Sequence, residues 1–600
     1  MNLAAIQHMA TENFCYALDE ETIVISLKTD FDVRDVHLVW GDPYAGGIMG
    51  GNWKWKGTSV PMTEKKELQQ HLWWSTKVQP TSKRCKYYFE IYTETEKYIL
   101  IEDGCYTEAE FEAMEGFLLG FFFPWMNSAD ICKVPEWIQD RVWYQIFPER
   151  FCNGDSSLNP PHTKPWADSK TKVTNEEYFG GDLPGVISKL DYLSDLGIGG
   201  IYFNPLNVAG SSHKYDTTDY FTIDPIFGGN KVLKELSEKA HQKDIKIMLD
   251  GVFNHSGWFF PPWQDVVKKG PNSEYWDWFM VQEWPFEPKP SNHAKSGKYM
   301  AFAYCDAMPK LNTNNQKVID YLLEVCTFWV KEYDIDAIRL DVANEVSHEF
   351  CRQLRKKMKS LKKDFYIIGE IWHNAFPWLR GDEFDGVMNY QLTEALKEFW
   401  LNKNITVKEL EQRVNHCYTM YTKNINKGLF NLLDSHDTVR LITRMAKGNP
   451  VNKDTVNKTM QEFVTMFCME GTTCIYYGTE FLLEGDHDPD CRRCMPWTEF
   501  EEGKFSETHN WMKALIALRK TVLALRSESY EFVYDLDKTG KARILHLTKK
   551  DKEGKVLHLY MNCSLEKMEI PSESLVDKNI LLSNSLSGST LLPNGYLMVL

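Results

Sequence analysis

Four acidic residues stand at the ends of short apolar segments that are typical of β-strands. Asp250 ends IKIMLD, Asp341 ends AIRLD, Glu370 ends YIIGE, and Asp437 closes LLDSHD. For any one of them, capping a following helix would be an equally good explanation. All four in the same position favour a shared site instead. Carboxyl groups held close together can act as nucleophile, general acid and general base.

Polar residues accompany three of these acids. Asn254 and His255 follow Asp250, and His436 adjoins Asp437. Arg339 lies two residues before Asp341, and residues i and i+2 of a strand share a face. We therefore expect the guanidinium and the carboxylate of this pair to point into the same cavity.

The elements that position these residues form a repeating pattern of strand and helix. Eight apolar strand candidates follow one another, with helical stretches such as NKVLKELSEKAHQK between them. They occur in the segments RVWYQIFPERF, GIGGIYFNPL, DIKIMLDGVFNH, YDIDAIRLDVANE, FYIIGEIWH, FDGVMNY, GLFNLLDSHD and TTCIYYGTE. This alternation predicts an α/β fold, a (β/α)8 TIM barrel whose active site lies at the carboxyl ends of the strands.

Additional domains are expected on both sides of the barrel. Residues 1–125 alternate apolar and polar in short segments and predict an N-terminal β-sandwich. The barrel spans 126–520, with a small subdomain inserted after strand 3 at about 256–310, where the loop is too long for an ordinary βα connection. Strand-like segments return in 521–600 and predict a C-terminal β-sandwich.

Composition excludes several classes of partner. The 600 residues carry 68 Lys and Arg against 84 Asp and Glu, a formal net charge of −16, so no basic field is available for nucleic acid or an anionic membrane. The chain shows neither a signal-like start nor a run of 18 apolar residues, which favours a cytoplasmic protein. The 14 cysteines are scattered as in a reduced protein, and the one close pair, Cys491 and Cys494, lacks a second pair for a metal site.

Several motifs together resemble the conserved regions of one enzyme family. DGVFNH (250–255), RLDVANE (339–345), GEIWH (369–373) and LLDSHD (432–437) look like the four conserved regions of the α-amylase superfamily, glycoside hydrolase family 13. MPKLN (308–312) and Glu345 resemble the neopullulanase, cyclomaltodextrinase and maltogenic amylase subgroup. The resemblance covers nearly the whole chain, including the N-terminal sandwich.

The resemblance implies catalytic roles for three of the acids. Asp341 would be the nucleophile, Glu370 the general acid and then base, and Asp437 the stabiliser of the distorted sugar. A retaining glycosidase needs one ionised and one protonated carboxyl group about 5 to 5.5 Å apart. We expect Arg339 to favour ionised Asp341, and desolvation beside Ile371 to hold Glu370 protonated.

The same resemblance implies further substrate-binding residues. His213 and Tyr215 would flank the attacked glucose, Trp372 would lie on the leaving-group side, and Asp488 with Arg492 would close the non-reducing end of the cleft. A buried tyrosine, satisfied core histidines and a surface ion pair are the plain structural alternatives. The full predicted substrate-binding set is His213, Tyr215, Asp250, His255, Arg339, Glu345, Trp372, His436, Asp488 and Arg492.

A calcium site is also implied, in the segments FPERFCNGDSSLNP and FGGDL. The predicted oxygen ligands are Asn153, Asp155, Asn159, Gly180 and Asp182. Leu158 and Asn159 stand where such sites often have Asn and Asp. A turn that uses Asn, Gly and Asp for their backbone tolerance would look similar. We expect no organic cofactor.

The resemblance implies hydrolysis of α-1,4 bonds in cyclomaltodextrins, maltooligosaccharides and pullulan, with retention and some transglycosylation. A catalytically silent relative used as a binding scaffold is the alternative from another class, and an oligo-1,6-glucosidase is the nearest rival enzyme. The subgroup also implies a homodimer in which the sandwich narrows the partner's cleft, so that its removal should give a monomer that prefers starch. Five sandwich tryptophans could be exposed for contact or fill its core: Trp40, Trp53, Trp55, Trp73 and Trp74.

Overall fold

The computed structural model describes residues 1–45, 55, 57–114, 119–533, 544–571, 575 and 578–600. The chain divides into two compact units. The first contains residues 1–133 together with 379–381 and 405–426, and the second contains the remainder. None of the described helices is long and apolar enough to cross a membrane.

The N-terminal part of the first unit is a sandwich of two antiparallel sheets. Its described elements are β1 (Cys15–Ala17), β2 (Ile23–Thr29), β3 (Asp35–Gly41), β4 (Thr58–Pro61), β5 (Glu64–Glu67), β6 (Leu72–Val78), β7 (Cys85–Tyr92), β8 (Lys97–Ile101), β9 (Gly104–Thr107), α1 (Glu108–Glu112) and β10 (Phe121–Phe123). One sheet has the order β1-β2-β6-β5, and the other β4-β3-β7-β8-β9 with β10 beside β7. Alternate residues of both sheets, such as Ile25, Leu38 and Phe89, meet in one buried core.

The described tryptophans of the sandwich differ in their surroundings. Trp74 lies in the core between the sheets, and its neighbour Trp73 is buried on the opposite face with Phe14. Trp40 packs against the core and Trp55 is half-buried. Trp53 lies outside the described residues. Trp74 and Trp40 therefore belong to the core between the sheets, whereas Trp73 and Trp55 do not.

The second unit contains the predicted barrel, and its strands are short and almost entirely buried. In chain order they are β11 (Val142–Ile146), β12 (Gly200–Phe203), β15 (Lys246–Gly251), β16 (Ala337–Leu340), β17 (Tyr366–Gly369), β18 (Gly386–Val387), β19 (Phe430–Asn431) and β20 (Thr472–Tyr476). Two further strands, β13 (Asn207–Ala209) and β14 (Thr217–Ile223), follow β12 and form a separate antiparallel pair. Within the continuously described stretch 119–533 the sheet order is β18-β17-β16-β15-β12-β11-β20-β19, all parallel. A parallel bridge from Met388 to Phe430 joins its two edges, which closes the barrel.

Helices separate the barrel strands as the sequence pattern predicts. They are α2 (Leu183–Ser188), α3 (Leu190–Leu196), α4 (Gly229–Gln242), α5 (Pro261–Lys269), α6 (Gln316–Tyr333), α7 (His348–Leu361), α8 (Tyr390–Leu401), α9 (Val407–Thr419), α10 (Lys423–Asn426), α11 (Leu441–Ala446), α12 (Lys453–Phe467), α13 (Trp497–Glu501) and α14 (Ser506–Thr521). Seven of the eight barrel strands contribute to a single interior cluster, which includes Trp143, Tyr202, Met248, Ala337, Tyr366, Ile368, Phe430 and Cys474. The barrel is therefore a filled core, and its chemistry must lie at the rim.

Helices α9 and α10 belong to the first unit, together with the sandwich. The Gln412 amide donates to Glu67 at 2.8 Å, and Lys423 forms an ion pair with Glu64 at 2.9 Å. The sandwich therefore packs with a part of the barrel sequence, which a domain boundary drawn at residue 125 does not reveal.

The predicted insertion follows β15 and ends before α6. It contains α5 and isolated antiparallel bridges, and its core is a set of packed rings in which Trp263 lies 4.9 Å from Phe279 and 4.8 Å from Tyr299. The C-terminal strands are β21 (Glu531–Val533), β22 (Ile544–Lys550), β23 (Val556–Asn562), β24 (Met568–Glu569), β25 (Ile580–Ser587) and β26 (Thr590–Val599). Their described residues form one antiparallel sheet of order β21-β22-β23-β26-β24, with β25 beside β26. The predicted α/β barrel with an N-terminal sandwich is confirmed, and the C-terminal domain is an antiparallel sheet in its described residues.

Candidate active site

A cavity of about 430 Å³ opens where the barrel strands end. The structure brings nine of the predicted residues into its lining: His213, Tyr215, His255, Asp341, Glu370, Trp372, Asp437, Asp488 and Arg492. Five lining residues were not predicted: Asn175, Phe302, Met308, Val342 and Asn344. Since Phe302 and Met308 come from the insertion, that subdomain forms one wall of the site.

Arg339 is the centre of the acidic cluster. Its side chain is fully buried, and Nη1 lies 2.8 Å from Asp250 and 2.9 Å from Asp341. Its Nη2 lies 2.9 Å from Glu370. The parallel register explains the arrangement, because Arg339 pairs with Asp250 across β15 and β16, and Leu340 pairs with Gly369 across β16 and β17. One guanidinium therefore holds three carboxylates in fixed relative positions.

The electrostatics differ from the sequence expectation. Arg339 contacts both Asp341 and Glu370, so it does not distinguish an ionised nucleophile from a protonated acid. Burial raises the pKa of Asp341 well above its usual value, against the opposing effect of Arg339. Burial also raises the pKa of Asp250 and of Asp437. Burial of Asp341, Asp250 and Asp437 therefore opposes the ionised state of these carboxyl groups, and Arg339 favours it.

Glu370 is held from two sides. The backbone N–H of Val342 donates to Oε2 at 2.9 Å, and the Trp372 indole N–H donates to Oε1 at 3.1 Å. Val342 has φ of 45°, a left-handed conformation that is rare for a β-branched residue. The strained residue comes directly after Asp341, and its conformation directs the Val342 N–H toward Glu370. Trp372 stacks on Tyr390 at 3.6 Å with its ring half-exposed, so it can offer a flat face to a sugar.

Asp437 lies beside a histidine and an arginine. His436 Nε2 is 3.0 Å from one carboxylate oxygen and Arg492 Nη2 is 3.4 Å from the other. Arg492 also pairs with Asp488 at 3.3 Å. The arginine is buried whereas Asp488 is half-exposed, so this pair lines the cavity wall and is more than a surface ion pair.

The three histidines of the site are held as uncharged rings. Burial lowers the pKa of His255 to about 3, and its Nε2 donates to the Tyr215 carbonyl at 3.1 Å. His213 accepts the Tyr215 backbone N–H at Nδ1, so its own proton is on Nε2. Burial lowers the pKa of both His213 and His436. Neutral rings suit hydrogen bonding to sugar hydroxyl groups.

Four predicted binding residues do not line the cavity. Asp250, Arg339 and His436 lie directly behind the lining, where they contact residues that do face it. Glu345 forms an ion pair with Lys310 of the MPKLN segment at 3.1 Å and is not part of the lining. Its predicted contact with substrate stays a prediction.

Uncharged polar residues behind the cavity were missed by sequence reasoning. Tyr202 donates to Asp250 at 2.8 Å, Asn204 donates to the Tyr215 hydroxyl at 3.0 Å, and Gln145 contacts His436 at 2.8 Å. Gln145 and Asn204 are polar residues at the carboxyl ends of apolar strands. That position at the end of a strand is the signal in the sequence that could have identified them.

The five predicted calcium ligands do meet in one corner of the second unit. Asp182 caps α2 and accepts the backbone N–H groups of Gly154, Asp155 and Gly185. Asp155 accepts from Ser157, and the Asn153 amide donates to Asn159. A side chain on Gly180 would collide with Asn159, which explains the glycine. Hydrogen bonds therefore link the two segments of this corner, and they do not exclude calcium, because each of these oxygens has more than one lone pair.

Calcium binding stays a prediction, and chelation tests it. A bound ion would join the segment 153–159 to the N-terminus of α2, so we expect EDTA treatment to lower the melting temperature, and calcium but not magnesium to restore it. Calorimetry before and after dialysis against EDTA measures this. An unchanged Tm would mean that hydrogen bonds alone hold this corner.

Two family models match the chain in the order of its domains. Residues 1–124 match the alpha amylase N-terminal ig-like domain, and residues 145–529 match the alpha amylase catalytic domain. The chain therefore belongs to the α-amylase family of glycoside hydrolases.

The relatives narrow this class to one subgroup. A cyclomaltodextrinase of Geobacillus thermopakistaniensis (strain MAS1) is 42% identical and covers 95% of this chain and 93% of its own length. A maltogenic alpha-amylase of Bacillus acidopullulyticus is 42% identical, with 94% and 93% covered. A solved structure of a cyclomaltodextrinase has a TM-score of 0.86 at 34% identity and covers 100% of both chains. The chain is a glycoside hydrolase of this type, and the subgroup resemblance is confirmed.

Proposed function

We propose that this protein hydrolyses α-1,4-glucosidic bonds of cyclomaltodextrins, maltooligosaccharides and pullulan with net retention. The observation that carries the proposal is the position of Asp341 and Glu370, each 2.9 Å from one arginine and both in the cavity lining. The names of the relatives support cyclomaltodextrins as substrates.

In this proposal the reaction has two steps. Asp341 attacks the anomeric carbon while the glycosidic C–O bond breaks, and Glu370 gives its proton to the leaving oxygen. Glu370 then takes a proton from water, whose oxygen attacks the same carbon and releases Asp341. A sugar hydroxyl in place of water would give transglycosylation. Asp437 stabilises the positive charge that develops on the ring.

The stereochemistry of the first product tests the retaining mechanism. Two inversions at one carbon return the α-anomer, so we expect α-maltosyl products to appear first. Proton NMR of fresh product, before mutarotation, measures this. Initial appearance of the β-anomer would mean that water attacks directly and that Asp341 is a base.

Substrate preference is tested by the rates on a cyclodextrin, pullulan and soluble starch. We expect the cyclodextrin to be cleaved at least as fast as starch. Cleavage of α-1,6 bonds alone would identify the oligo-1,6-glucosidase alternative, and absence of turnover on all three would identify a silent scaffold. The homodimer and the cytoplasmic location stay predictions, and sedimentation of the full chain tests the first of them.

A further inference from the structure

A chain of uncharged side chains links the first two barrel strands to the Asp437 side of the cavity. The Gln145 amide nitrogen lies 3.1 Å from Asn204 Oδ1 and 2.8 Å from His436 Nδ1. The Asn204 amide donates to the Tyr215 hydroxyl at 3.0 Å. His436 is 1% exposed, so these contacts replace water as its partners.

The direction of the hydrogen bonds can be worked out from the Asp250 end. The Asp250 carboxylate accepts from Arg339 and from the Tyr215 hydroxyl, at 2.8 and 3.0 Å. Because that hydroxyl gives its only hydrogen to Asp250, its oxygen must accept at 2.6 Å from His436 Nε2. His436 Nε2 therefore carries a hydrogen, and it also faces Asp437 at 3.0 Å.

The contacts of Gln145 independently place the hydrogen of His436 on Nε2. Its amide nitrogen donates one hydrogen to Asn204 and the other to His436 Nδ1. The reverse amide orientation would put a hydrogen on Nδ1 and a bare Nε2 against the Asp437 carboxylate. The donors around Asp250, which are Arg339, Tyr202 and Tyr215, and the contact of Nε2 with Asp437 thus fix the direction of the whole chain.

We infer that Gln145 is a positioning residue for the proposed reaction, which keeps His436 uncharged with its hydrogen on Nε2, directed at Asp437 and the cavity. The inference rests on the proposed function only for its consequence in catalysis. A neutral His436 offers a fixed donor beside Asp437. It adds no positive charge where the sugar becomes cationic.

The groups that surround His436 also favour its uncharged form. Burial lowers its pKa most, and the positive charges of Arg492 and Arg339 and the nearby His213 lower it further. Glu370 opposes them, and Asp437 lies in direct contact. Gln145 adds a geometric constraint to this, since it can donate to Nδ1 only while that nitrogen is unprotonated.

Gln145→Glu tests the inference because it keeps the shape and replaces the donor with an acceptor. A carboxylate at this position binds a hydrogen on Nδ1. At low pH the introduced carboxylate and the imidazole together hold two protons, and Nε2 keeps its hydrogen. When the pH rises and one proton is lost, the remaining proton lies between the carboxylate and Nδ1. We expect Nδ1 to become protonated in the variant and Nε2 to lose its hydrogen as the pH rises.

Nitrogen-15 NMR of histidine-labelled protein shows directly which ring nitrogen carries a hydrogen. The variant His436→Asn assigns the signals of His436. The expected spectrum of the unaltered protein has an unprotonated Nδ1 and a protonated Nε2 between pH 5.5 and 8. A protonated Nδ1 there would overturn the inference, whether or not the protein hydrolyses any glucan. Failure of the proposed function would appear separately, as absence of turnover by the unaltered protein.

The pH dependence of kcat/KM is the second readout. We expect Gln145→Glu to lose about 10- to 100-fold at pH 8 and less at pH 5.5, a magnitude typical of residues that orient a functional group. Tyr144→Phe is the matched control, since Tyr144 is the neighbouring residue of β11 and bonds Glu480 instead. An equal loss at both pH values, as expected for that control, would mean that Gln145 only supports the strand.

Discussion

Asp341→Asn should lower kcat on a cyclodextrin by about 10⁴-fold or more, because an amide cannot form the covalent intermediate. Glu370→Gln should lower kcat by about 10²- to 10⁴-fold, because the leaving oxygen then departs without a proton. Both changes conserve volume and leave Arg339 with two carboxylates. Steady-state rates on purified variants with unchanged far-UV circular dichroism measure the effect.

The leaving group distinguishes the two roles. Fluoride departs without protonation, so α-maltosyl fluoride should restore the first step in Glu370→Gln and leave Asp341→Asn inactive. Asp364→Asn is a suitable control, because Asp364 is an exposed acid just before β17, at the strand end opposite Glu370. Rates near those of the unaltered protein for Asp341→Asn, or no rescue of Glu370→Gln by the fluoride, would contradict the assignment.

Sequence patterns predicted the elements of the second unit well because buried parallel strands have a strong signal. Each of the eight apolar segments became a strand, and the acids at their ends came together because parallel strands share one carboxyl edge. Asp250, Asp341 and Glu370 could be found in this way. Their placement needed only strand order and the alternation of side chains.

What the sequence could not predict depends on distances between strands that are remote along the chain. Gln145 lies 291 positions before His436, and nothing in VWYQI marks its amide as a partner. The prediction that Arg339 favours an ionised Asp341 was based on two neighbouring residues and missed Glu370, which the guanidinium also contacts. Local sequence shows which side chains share a face, whereas charge balance depends on the complete set of neighbours.

The boundary of the sandwich shows the same limit. Composition changes near residue 125, yet α9 and α10 pack with the sandwich in one compact unit. Deleting residues 1–125 would remove Glu64 and Glu67, which bind Lys423 and Gln412. The truncation implied by the sequence would therefore disturb the barrel sequence as well as any dimer, and sedimentation of the full chain is the cleaner test.

Arg339→Met should lower both stability and activity. Methionine fills similar space without charge, so Asp250, Asp341 and Glu370 would lose the cation that all three contact. Removing one partner from a buried ionic cluster costs about 3–5 kcal/mol. Loss of the fixed carboxylate geometry should also reduce kcat/KM by about 10²-fold or more.

The pH dependence of the stability lost in Arg339→Met identifies the cause of that loss. Without Arg339 the pKa of Asp341, already raised by burial, rises further in the folded protein. A carboxyl group with a folded pKa above its unfolded pKa stabilises the fold below the unfolded pKa, and that stability is lost as the pH rises through the folded pKa. The Tm difference between the unaltered protein and Arg339→Met should therefore be larger at pH 8 than at pH 5. A pH-independent loss for Arg339→Met would mean that packing, rather than the charge shared among the three carboxylates, is what this arginine contributes.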